Sequence, residues 1–254
     1  MEVRPLSARS IVLSLLLAVH PPELTAAQLV ALGEVFDVPE STVRAALTRL
    51  VAAGDLERTD GVHRIGERLR ARQRFQDAAL DPPYRSWDGT WETVVVVATG
   101  RAASDRVAFR LEMEQLRLAE LREGVWTRPA NLDRPLPDWS ADLAVVATSN
   151  PSDVRALVGR LWDLDSWTRT GDALLAALAE DLSPADRLAV AAALVRHLRT
   201  DPALPPSLRP KTWNGPALAT AYAAYQAELA AVLAPVSEPP ATRQGSGTRR
   251  NRGR

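Results

Sequence analysis

Residues 40–65 hold the pattern that most restricts the fold. Val43, Ala46, Leu47, Leu50 and Val51 recur at three- and four-residue spacing, which sets one apolar stripe along a helix and leaves the other face polar. Pro39 suits the first turn of that helix, where its missing N–H would have no partner anyway, and Gly54 closes it. Asp60-Gly61 then separates two short runs, residues 55–59 and 62–65. Asp-Gly fills two-residue hairpin turns because both positions take positive φ. A helix, a glycine stop and a hairpin make a wing.

The preceding residues supply two more helices. The first is expected from residue 7 or 8 to 19, ended by Pro21-Pro22. The second opens on a capping box, Thr25 and Gln28 serving each other's backbone N–H groups, with Leu24 and Leu29 at staple positions. The polar face of the third helix carries Ser41, Thr42, Arg44, Ala45, Thr48 and Arg49. Hydroxyls reach phosphates and base edges, and an arginine forks onto guanine. This is a helix-turn-helix arrangement. Ser41, Thr42, Arg44, Thr48 and Arg49 are therefore candidate DNA contacts, and the wing adds His63 and Arg64 for a minor groove or a phosphate. Residues 1–75 hold ten arginines and nine carboxylates, a net charge of +1. That is small for a surface that gains affinity by neutralising phosphates. A winged helix that scaffolds or senses without DNA is the alternative. An arginine-rich helix expected over 67–74 would add charge.

After Asp81-Pro82-Pro83 the pattern changes. A strand is expected over 91–98 and a long helix over 101–123, with Val107, Leu111, Leu118 and Leu121 on one side. Strands at 124–129 and 143–147 and a helix at 153–161 complete most of a ferredoxin-like sandwich. Arg101, Arg106, Arg110 and Arg128 surround the long helix and the strand after it as candidate grips for an anionic ligand. Trp126 is a candidate pocket wall, against the ordinary reading of a core aromatic.

Catalysis finds little support. A metal-dependent nuclease of this architecture needs a carboxylate where the first strand ends, and Ala98, Thr99 and Gly100 stand there. No phosphate loop or nucleophile elbow occurs. Asp133, Asp138 and Asp142 share a proline-punctuated loop with no histidine and read as solvated acids. With no cysteine and only His20, His63 and His197, far apart, the chain has no thiol nucleophile, Cys-ligated zinc or iron–sulfur site. The expectation is a protein that is no enzyme and takes no cofactor or metal. A nucleic-acid-processing enzyme on the central module is the remaining alternative.

Ser183 and Pro184 start a helix that runs to about 198, and another is expected over 216–233. Between them, residues 201–215 are proline-rich, yet Leu204, Leu208 and Trp213 require burial. Residues 241–254 carry five arginines and no acid, the composition of a disordered arm. The 254 residues thus divide into a winged helix (1–80), a central module (81–161), a helical domain (162–235) and a tail (236–254). The first apolar run, 11–19, is too short for a bilayer and lacks a cleavage pattern, so the expected compartment is the cytoplasm.

Several strings together resemble the PaaX-type transcriptional regulators, repressors of phenylacetate degradation and their relatives. They are Thr42-Val-Arg-Ala-Ala-Leu-Thr-Arg-Leu-Val-Ala-Ala-Gly54, Trp87-Asp-Gly-Thr-Trp91, Gly124-Val-Trp-Thr-Arg-Pro129, Leu161-Trp-Asp-Leu164, Asp201-Pro-Ala-Leu-Pro205 and Pro210-Lys-Thr-Trp-Asn-Gly215. The resemblance covers about residues 7–233. It implies an α+β homodimeric repressor with a winged helix-turn-helix, a central ferredoxin-like module similar to the CRISPR-associated Cas2 fold, and a helical C-terminal segment. It implies double-stranded operator DNA as partner and a small-molecule effector of the aryl- or acyl-CoA thioester class. The family's recognition positions fall on Arg44 and Arg49. Members often carry consecutive wing arginines followed by Ser and Tyr, where this chain has only Asp60-Gly-Val-His-Arg-Ile65.

Overall fold

The computed structural model describes residues 5–19, 21–67, 69–70 and 82–237. Most of the arginine-rich segment 67–74 and nearly all of the tail lie outside them. The described residues fall into two compact units. One holds the described residues of Ala8–Ile65 with 227–237, and the other those of Gly66–Gln226 with 5–7.

In the first unit the order is α1 (Ala8–Ala18), β1 (Glu23–Thr25), α2 (Ala26–Val35), α3 (Glu40–Ala52), β2 (Leu56–Thr59) and β3 (Val62–Ile65). The strands form an antiparallel sheet of order β1-β3-β2. Thr25 caps α2 as expected: its N–H donates to Gln28 Oε1 at 2.8 Å, and the Gln28 N–H donates back to its hydroxyl at 3.2 Å. Pro39 is the N-cap of α3 and not its first helical residue. Asp60 (φ 52°) and Gly61 (φ 79°) both take the left-handed region that the two-residue turn requires. Leu15, Leu16, Leu29, Leu32, Leu50 and Ile65 are fully buried, each contributing about 1.5–3 kcal/mol of transfer free energy. The expected stripe of α3 is inside at Val43, Ala46, Leu47 and Leu50.

The second unit begins with a four-stranded antiparallel sheet: β4 (Trp91–Val96), β5 (Ala119–Arg122), β6 (Val125–Pro129) and β7 (Ala144–Ser149), in the order β5-β6-β4-β7. That is the ferredoxin-like order. Between β4 and β5 lies α4 (Ala103–Gln115). The expected single helix over 101–123 is corrected here. Arg117 turns left-handed (φ 59°), the Leu118 N–H donates to the Met113 carbonyl, and the chain re-enters the sheet as β5. This is a helix stop of the kind glycine usually makes, so sequence offers no sign of it. Val107 and Leu111, expected on the buried side, are 59% and 52% exposed; Phe109 and Met113 pack inward with Val94 and Trp126.

Trp91 is buried in a separate cluster with Val158 and Leu204. There α5 (Val154–Leu161) leads into α6 (Leu164–Leu178), α7 (Pro184–Leu198), a short 3-10 turn at Pro206–Leu208 and α8 (Gly215–Ser237). Asp163 caps α6 and Ser183 caps α7 through their side chains. Trp167 is stacked between His197 and Trp213, with ring centroids 4.2 and 4.1 Å away. Asn214 bridges the Thr168 carbonyl and Asp172, both at 2.8 Å. The proline-rich stretch is therefore ordered by what its apolar and amide side chains bury.

Candidate nucleic-acid interface

Burying one stripe of α3 forces Ser41, Thr42, Arg44, Ala45, Thr48 and Arg49 onto a common exposed face. Arg44 Nε donates to Glu40 Oε1 at 2.7 Å one turn back, and the Thr48 hydroxyl donates to the Arg44 carbonyl at 3.1 Å. Arg49 Nε donates to the Ala45 carbonyl at 3.2 Å. Both guanidiniums keep N–H groups directed to solvent from a surface helix. Ion pairs this exposed are worth little, so the Glu40 contact holds Arg44 only weakly.

The wing differs from the sequence expectation at one residue. His63 lies on the central strand, opposite Leu24 on one side and Arg58 on the other, and is only 4% exposed. It packs the wing instead of reaching a groove. Desolvation, then the nearby Arg58 charge, hold its pKa below the ordinary histidine value. Arg64 stays partly exposed with its Nε 2.5 Å from Glu23 Oε2. Arg58, which sequence reasoning passed over, is exposed on β2. It stands opposite His63 across the hairpin that the Asp60-Gly61 turn closes. Behind α3, the fully buried Asp55 accepts a charge-assisted bond from Arg9 of α1.

In the central module the structure brings Arg101 to Arg106 and Arg110 to Trp126, and sets Arg128 apart in the interior. Arg101 and Arg110 lie over aromatic faces, 4.8 Å from the Phe109 centroid and 5.2 Å from that of Trp126. Arg106 donates to the Arg101 carbonyl at 3.2 Å, and Arg110 pairs with Glu120 at 2.7 Å. Trp126 is a core residue whose ring face Arg110 covers, and Arg128 has no exposed surface, so Arg128 does not join the surface arginines. Asp133, Asp138 and Asp142 are exposed. Among the described residues no cluster of His, Cys, Asp and Glu is placed to hold a metal ion.

Residues 7–72 match the PaaX-like protein family, and residues 84–151 match the PaaX protein central Cas2-like domain. The chain belongs to the PaaX family. A solved structure, the uncharacterized protein Rv0674 from Mycobacterium tuberculosis, is 43% identical to it over 91% of this chain and 99% of that one, with a TM-score of 0.81. No curated protein matches the chain. PaaX-family proteins are non-enzymatic transcriptional regulators, and the layout of N-terminal PaaX domain, central Cas2-like domain and helical C-terminal segment fits a DNA-binding regulatory role in general. Among the described residues no helix is long and apolar enough to cross a membrane.

Proposed function

We propose that this PaaX-family protein is a ligand-responsive repressor of a catabolic operon. Two winged helices of a homodimer bind a palindromic operator, each laying the face Ser41, Thr42, Arg44, Thr48 and Arg49 into a major groove, with Arg64 at the wing. A small molecule of the aryl- or acyl-CoA thioester class, contacted by the central module near Arg101, Arg106 and Arg110, shifts the dimer out of its DNA-compatible state. Such an effector must bind the two states unequally, since tight binding alone shifts nothing. The observation that carries the reading is the exposed face of α3, which presents Ser41, Thr42, Arg44, Thr48 and Arg49 together on a winged helix.

The test is fluorescence anisotropy of the full chain against DNA flanking its own gene, at two salt concentrations. A salt-sensitive complex, tighter than with scrambled DNA, supports the reading; equal binding to both duplexes overturns it. Arg44→Ala weakens the specific complex by about 1–3 kcal/mol if the guanidinium reads a base.

A second reading is a winged helix that binds protein. It is favoured by the carboxylate partners of Arg44 and Arg64, which offset charge that a phosphate would otherwise use. Glu40→Gln separates the two. Operator affinity rises in a DNA-binding protein, because a like charge leaves the phosphate face and Arg44 is released, and stays absent in a scaffold.

A further inference from the structure

We propose that Arg128, Arg134 and Glu92 form a site for a phosphate-class oxyanion inside the central module. Glu92 on β4 and Arg128 on β6 are register partners on one sheet face. A single carboxylate oxygen, Glu92 Oε1, lies 2.7 Å from Arg134 NH2 and 3.4 Å from Arg128 Nε. One negative charge thus serves two guanidiniums.

The remaining N–H groups show where an anion belongs. Arg128 spends Nε on the Pro129 carbonyl (3.1 Å) and NH2 on Asn131 Oδ1 (2.9 Å) and the Ala203 carbonyl (3.2 Å). Its NH1, buried, has no partner among the described residues. Arg134 gives NH2 to Glu92 and to the Leu116 carbonyl at 2.6 Å. Its Nε and NH1 are likewise buried and without partners there. Three guanidinium N–H positions on two side chains are left for an acceptor.

Charge favours an anion over water as that acceptor. Arg117 brings a third guanidinium, donating to the Asp201 carbonyl, while the second carboxylate, Asp201, is occupied with the Ala203 N–H at 2.6 Å. Two guanidiniums, Arg128 and Arg134, thus share the one Glu92 carboxylate, and burial pushes the Asp201 carboxyl toward its neutral form. Arginine keeps its proton in proteins, so the excess must be met by a counter-anion or carried as a costly buried charge. Desolvation, followed by the neighbouring Arg134 charge, pushes the Arg128 pKa down to about 9, the mark of a cation held without enough compensation. Paired guanidinium forks match the oxygens of a tetrahedral oxyanion. Arg134 and Glu92, each 15% exposed, are the approach from solvent.

The inference concerns the central module and stands independently of operator binding and of the effector. It is tested on the full chain without DNA, by thermal denaturation against potassium phosphate at an ionic strength held constant with potassium chloride. Phosphate raises the melting temperature saturably, and chloride in its place does not. Glu92→Gln removes the internal competitor and lowers the half-saturating phosphate concentration roughly tenfold, a gain that damage to the fold would not produce. Arg134→Gln abolishes the phosphate-dependent shift. A glycerol 3-phosphate arm separates the sources: an equal or tighter response assigns the site to the phosphate end of a larger ligand, and a response to inorganic phosphate alone assigns a free ion. Equal shifts with chloride, or a half-saturation unchanged in Glu92→Gln, overturn the proposal.

Discussion

Protonating His63 places a charge on a ring that is almost wholly buried in the wing sheet and lies beside Arg58. Its Nδ1 has no partner among the described residues, and burial with Arg58 holds its pKa below the usual value. The unfolded chain then takes up a proton that the folded chain refuses, so stability is full above about pH 6.5 and falls below it. His197, depressed mainly by burial, acts in the same direction. The melting temperature is expected to fall from pH 7.5 to pH 5.5, and less steeply in His63→Leu; denaturation across that interval checks it. An equal slope in the variant would mean that the His63 ring is hydrated when folded. The arginines follow a different rule. Those on α3 keep solvent-directed N–H groups, whereas Arg128 is enclosed, and their sequence contexts do not distinguish them.

The packing of α2 on α3 depends on a missing side chain. A Cβ at Gly33 would sit 2.6 Å from Val43 Cγ2 and 3.4 Å from the Val38 carbonyl. Gly33→Ala is expected to cost about 1–3 kcal/mol by forcing the two helices apart. Adding Val43→Ala restores part of the loss, because the clash is with that one methyl group; urea denaturation of the single and double variants measures it. Elements of this kind were legible where the signal is local. The α3 stripe, the Thr25–Gln28 box and the Asp60-Gly61 turn each reside in a few neighbouring residues, and the exposed face of Ser41, Thr42, Arg44, Thr48 and Arg49 follows from the stripe. What escaped is set from a distance. β1 has three residues, too few for a period, and exists through its pairing with β3. The end of α4 rests on Arg117 adopting a conformation that its side chain does not favour. The enclosure of Arg128 requires Glu92, Asn131 and Ala203 to converge from three separate segments.

At the scale of the molecule, the proposed operator control calls for two copies acting on one duplex, since a palindrome mirrors a two-fold axis. A duplex holding one half-site is therefore expected to bind at least about tenfold more weakly than the full site in the same anisotropy titration. Equal affinities would mean that one winged helix suffices. The central and helical segments are joined within one unit by the stretch 201–205, and there Ala203 sets a narrow condition. It is fully buried at φ 49°, and its carbonyl receives both Arg128 and Asn131. Glycine is the one replacement that eases the backbone and fits the space; every larger residue combines left-handed strain with overpacking. In a saturation library scored by folded yield, position 203 should accept glycine and reject leucine, valine and phenylalanine, while the exposed positions 206 and 207 tolerate wide variation. Natural drift along this loop is thereby channelled: the protein is free to vary three residues away from a site where its history is nearly fixed.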